Sequence, residues 1–205
     1  MKNSQFIYLL FLVIFVIPAC KSAKNVILQA PINQISLFQN GIETVLNESF
    51  ETVEVDRKAF SLRFYNKAYT YKNEKFYSAK IAAFLNMSEL DKVKTGMLMA
   101  DLPCFEPGSG MAADETGKYE SLYFNNSGHH YTLYENSESK RLNLIGRSGE
   151  YLKLEFEIKG LYYDKMEFKM NETKLNEFYL AFLIDRNLNG KIEVGELKKL
   201  IVKFR

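Results

Sequence analysis

Near the C-terminus the chain reads DRNLNGKIEVGE (185–196), a run in which oxygen-bearing side chains recur at close, regular intervals. Asp185, Asn187 and Asn189 alternate, Gly190 follows, and Glu193 and Glu196 complete the run. Carboxylate and carboxamide oxygens are hard donors, the kind that a hard cation gathers. The plainer alternative is a polar hairpin loop, since Asn189-Gly190 is a strong turn signal on its own. A turn, however, has no need of Ile192 or of Glu196 at the far end. Elsewhere the candidates are weaker. The only histidines, His129 and His130, are adjacent; in a strand they point to opposite faces and cannot share an ion. In a turn they could, with Asp114 or Glu115 as a third ligand, although a pair of surface histidines is the commoner case. Cys104, in LPCFEPGSGMA, is either a reactive thiol or, more ordinarily, a small buried hydrophobe beside Leu102 and Phe105.

The 185–196 pattern, D-x-N-x-N-G-x-I-E-x-x-E, resembles the calcium-binding loop of the EF-hand family. The resemblance implies a ligand set for Ca²⁺, which takes about six to eight oxygens. Asp185, Asn187 and Asn189 would each give a side-chain oxygen and Lys191 its backbone carbonyl. Glu193 would act directly or through water, Glu196 would close the shell with both oxygens, and Gly190 would permit the bend. EF-hands pair, and no second such loop exists in this sequence. A structural staple is therefore expected rather than a calcium sensor. On the exit side Leu197, Leu200, Ile201 and Phe204 have helical spacing. The entry, NEFYLAFLI, fits either period, and its aromatic, β-rich surroundings favour a strand.

At the other end, MKNSQFIYLLFLVIFVIPACK combines Lys2 with an apolar run over 6–17, interrupted only by the Tyr8 hydroxyl. Twelve residues are short for a permanent span of about 20. Ile17-Pro18-Ala19-Cys20 resembles the lipobox of bacterial lipoproteins. The resemblance implies cleavage before Cys20, acylation of Cys20 and a membrane anchor. Lys21 follows the cysteine instead of aspartate, which in the enteric sorting rule points to the outer membrane. With Cys20 acylated, Cys104 is the sole remaining cysteine, so no intramolecular disulfide is available.

The elements that must position these groups read as mainly β. Short apolar runs with β-branched and aromatic residues fall at 60–65, 76–85, 119–124, 130–134, 141–145 and 151–158. The last alternates cleanly, with Leu152, Leu154, Phe156 and Ile158 on one face. Asn126-Ser127-Gly128 and Arg147-Ser148-Gly149 read as hairpin turns. One short helix is expected over SELDKVK, capped by Ser88 and stopped at Gly96. The expected fold is α+β with β dominant: an antiparallel sandwich or incomplete barrel with one or two short helices. The C-terminus would be a strand, the calcium loop, then a helical turn or strand. The expected organisation is a signal peptide over 1–19, a lipidated tether and lead-in over 20–50, and one β-rich domain over 51–205.

Length, with 47% apolar residues, suffices for one sizeable core. The 27 basic and 25 acidic residues nearly cancel, leaving no field to attract nucleic acid. The longest stretch without apolar periodicity, 103–118, is either functional or a surface excursion. Its GSG lacks the lysine and the strand-to-helix context of a phosphate loop, which excludes nucleotide binding by that route. These readings together suggest a non-enzymatic, lipid-anchored envelope protein with a structural calcium site and a protein- or glycan-binding role. The alternative is an envelope hydrolase working from the 103–118 loop through Glu106, Asp114, Glu115 or His129.

Overall fold

The computed structural model describes residues 34–67, 69–71, 74–76, 79–105, 121–124, 142–163 and 166–205. In chain order the strands are β1 (Ile35–Gln39), β2 (Ile42–Leu46), β3 (Phe50–Val55), β4 (Phe60–Asn66), β5 (Tyr69–Tyr71), β6 (Glu74–Phe76) and β7 (Ala79–Phe84). A single helical turn, α1 (Met87–Leu90), precedes two 3-10 turns, Met99–Asp101 and Pro103–Phe105. Then come β8 (Ser121–Phe124), β9 (Leu142–Ser148), β10 (Tyr151–Ile158), β11 (Gly160–Tyr163), β12 (Met166–Lys169), β13 (Glu177–Ile184) and β14 (Leu197–Phe204).

The fold is mainly β and sandwich-like, as the alternating runs predict. One sheet has the order β2-β1-β4-β10-β9 and the other β12-β11-β8-β7-β13-β14-β3; β5 and β6 pair separately. Neither large sheet closes into a barrel. Among the described strands all pairs are antiparallel except β14 with β3, where Lys199–Phe204 run parallel to Phe50–Val55. Side chains from both sheets meet in one core. Leu62 and Phe64 of β4, Leu154 and Ile158 of β10, and Phe178, Leu180 and Phe182 of β13 are essentially inaccessible. The rings of Phe64 and Phe182 meet edge to face with centroids 4.9 Å apart, a geometry that adds about 0.5–1.5 kcal/mol to the burial itself.

Several expectations need correction. Within the lead-in over 20–50, β1 and β2 form a hairpin, and Ile35, Leu37 and Leu46 enter the core. The 76–85 tract is not one strand, because Phe76 ends β6 and β7 starts at Ala79. Ser88 lies inside α1, where Asn86 takes the capping position without a side-chain bond. The helix stops at Leu90, and Lys92 and Val93 donate three residues back to Glu89 and Leu90. Burial of Leu90 and Val93 against the sheet decides that geometry. The helical spacing of Leu197, Leu200, Ile201 and Phe204 is also misleading, since all four lie in β14. That strand is held on both edges, by β13 and β3, and this pairing overrides the pattern. Arg147 and Ser148 belong to β9, leaving Gly149-Glu150 as the turn, with Gly149 at φ +61°. The expected strand at 130–134 and the turn at 126–128 lie outside the described residues.

A second apolar layer covers the outer face of β7 and β13. Ala82, Phe84, Ala181 and Leu183 on that face pack with Leu90, Val93, Leu102, Phe105 and Ile192. Segment 86–105 and the β13–β14 connection therefore lie over the same side of the larger sheet.

Candidate metal centre

Strands β13 and β14 are registered to Leu183 opposite Leu197, and Ile184 N–H donates to the Glu196 carbonyl at 3.0 Å. Their connection is 185–196. This is far longer than the roughly two to five residues of common hairpin loops, so its shape must come from its own side chains. Asp185 Oδ1 accepts from Asn189 N–H at 3.2 Å and Oδ2 from Gly190 N–H at 3.0 Å. Asn187 Oδ1 accepts from Asn189 N–H at 3.2 Å, and Asn189 Oδ1 from Lys191 N–H at 2.8 Å. Glu196 spans the loop, Oε1 accepting from Arg186 N–H and Oε2 from Glu193 N–H, each at 2.9 Å. Asp185 and Glu196 are buried, at 4% and 5% exposure. Gly190 sits at φ +72°, a backbone conformation that glycine adopts without strain.

This arrangement fits a hard cation in its donor chemistry. Each side-chain oxygen of Asp185, Asn187, Asn189 and Glu196 accepts a backbone N–H from within the loop. The backbone bonds fix where those oxygens lie. Glu193 accepts from the carboxamide nitrogens of Asn187 at 2.9 Å and Asn189 at 3.0 Å, which gathers the three side chains. The carbonyls of Gly190 and Ile192 accept from Met99 and Gly96; backbone alternation turns the Lys191 carbonyl away from that segment. Among the described residues, no three His, Cys, Asp or Glu side chains converge as a metal-holding group. Any cation here would depend on the asparagine oxygens as well as the carboxylates.

Two parts of the setting lie outside the 185–196 motif, segment 96–99 and Lys80. Ile192 is fully buried in the outer apolar layer, and its backbone bonds with Gly96 and Met97. Segment 96–99 thus flanks the loop. Lys80, on the outer face of β7, donates to the Phe105 carbonyl at 2.5 Å. Burial lowers its pKa, and the negative charge of Asp185 works against that shift. The alternation in AKIAAF marks Lys80 as facing opposite to Ile81 and Ala83, but no spacing ties it to Asp185. Cys104 is half-buried in the same layer beside Leu102 and Phe105, and burial pushes its thiol up to about 12, which suits a small hydrophobe.

Cys20 and the expected signal peptide over 1–19 lie outside the described residues, as do Glu106, Asp114, Glu115, His129 and His130. Among the described residues no helix is long and apolar enough to cross a membrane. Comparison of the chain with protein-family models, curated proteins and solved structures yields no match in any of the three.

Proposed function

We propose that this chain is a non-enzymatic, lipid-anchored protein of the bacterial cell envelope, carrying a structural Ca²⁺ at 185–196 and binding another protein or a glycan. The observation that carries the calcium reading is the loop's bond pattern. Asp185 and Glu196, buried at the loop's two ends, each accept backbone N–H groups from within the loop on both oxygens. Outside the cytoplasm, millimolar calcium fills even a site with a Kd of about 10⁻⁴–10⁻³ M. The anchor rests on the apolar run ending at Cys20, where each acyl methylene adds about 0.8 kcal/mol of membrane affinity.

The binding role is supported by the outward face of the five-stranded sheet. It carries Phe38, Tyr65 and Tyr151 among Arg63, Lys153 and Glu155. The Arg63 guanidinium lies 3.3 Å from the centre of the Phe38 ring, and Lys67 lies 5.0 Å from that of Tyr151. Rigid aromatics beside fixed charges suit recognition of polar partners. The test is membrane fractionation followed by affinity capture. Wild type should sediment with membranes and Cys20→Ser should not. Retention of Cys20→Ser on membranes would contradict the anchor.

A further inference from the structure

Segment 86–105 is fastened to the rest of the molecule at two described points. At its middle, Gly96 N–H donates to the Ile192 carbonyl at 2.7 Å, Ile192 N–H to the Met97 carbonyl at 2.9 Å, and Met99 N–H to the Gly190 carbonyl at 2.8 Å. At its end, Lys80 holds the Phe105 carbonyl. Beneath it lie Ala82, Phe84, Ala181 and Leu183, an apolar sheet face that Leu90, Val93, Leu102 and Phe105 cover. The middle fastening is made to the 185–196 loop itself. Gly190 gives its carbonyl to Met99 while its N–H is held by Asp185. Ile192, bonded to Gly96 and Met97, is followed by Glu193, whose N–H is held by Glu196.

We infer that segment 86–105 is a strap over β7 and β13 whose closure is set by the 185–196 loop: calcium in the loop closes it, and calcium loss loosens it. The inference rests on the calcium reading of that loop. The Ile192 carbonyl that takes Gly96 belongs to the peptide whose Glu193 N–H is held by Glu196, and the Gly190 carbonyl that takes Met99 to the peptide whose Lys191 N–H is held by Asn189. An ion that fixes Asn189 and Glu196 therefore fixes the grip, and one that leaves frees it. Loosening would bare the apolar face of Phe84 and Leu183, and with it Cys104. The device would make an apolar surface conditional on calcium, in a molecule whose other large sheet presents a charged outer face.

Cys104 provides the readout, because an alkylating reagent reacts with the thiolate and burial suppresses that form. The full chain in detergent is treated with N-ethylmaleimide in calcium and in EGTA, and modification is followed at the Cys104 peptide by mass spectrometry. Amide exchange over 151–158 reports global opening, and calorimetric titration reports calcium binding itself. Chelation should speed Cys104 modification by about tenfold or more while exchange over 151–158 stays within about twofold. If calcium binds but the Cys104 rate does not change, or both segments respond equally, the strap is overturned and the calcium reading stands. If no calcium binds, both fall.

Discussion

At the scale of single residues, the loop works because its acceptors are matched to its own N–H groups. Glu196 is the clearest case, with one backbone donor on each oxygen and almost no exposure. A separate polar cluster allows a sharper pH argument. Glu43 accepts from Ser36 at 2.6 Å, from Lys153 at 2.7 Å and from Arg63 at 2.8 Å. Burial pushes its carboxyl up, but the bonds from Lys153, Ser36 and Arg63 outweigh that and hold it at about 2. A folded value below the unfolded one stabilises the protein above about pH 4.5, and that stabilisation fades as pH falls toward about 2. Glu43→Gln should therefore be less stable than wild type at neutral pH, with the gap closing in acid. Urea titrations across pH check this, and a gap independent of pH would contradict it.

At the scale of elements, Lys198 shows how β14 is tied to the opposite sheet's hairpin. It points inward from β14, is 7% exposed, and donates to the Leu46 carbonyl at 3.0 Å, to the Glu48 carbonyl and to Glu51. Lys198→Met keeps the apolar stem and orphans those carbonyls, so urea unfolding should show a loss of about 1–3 kcal/mol. Unchanged stability would mean that the link between β2 and β3 is held by other contacts. Legibility at this scale follows from periodicity. The strand β10 was readable to the residue because one face is buried and the other carries Lys153, Glu155 and Glu157. The β1–β2 hairpin was not, because β2 is an edge strand with one buried residue, Leu46, and so lacks alternation. The exit from the loop stayed open between a helical turn and a strand because Leu197, Leu200, Ile201 and Phe204 fit the helical period, whereas the pairing of β14 with β3 that makes it strand is distant in sequence and leaves no local sign. For the candidate centre, the twelve loop positions were visible as a motif. The bonds to 96–99 and the proximity of Lys80 were not, since they depend on how segment 86–105 lies on the sheet.

At the scale of the whole molecule, the 185–196 loop joins two central strands of the larger sheet and carries Ile192 into the second apolar layer. A ligand there should stabilise the whole sandwich by mass action, whatever the partner of the outer sheet face. At about tenfold excess over its Kd, one calcium ion adds roughly 1.4 kcal/mol, or about 3–6 °C in melting temperature for a domain of this size. The most direct measurement is the melting temperature of wild type and Glu196→Gln, each in calcium and in EGTA. The wild type should melt higher in calcium by about that margin, and Glu196→Gln should show little or no response. Equal responses of the two proteins to calcium, or none in either, would contradict the assignment of the loop.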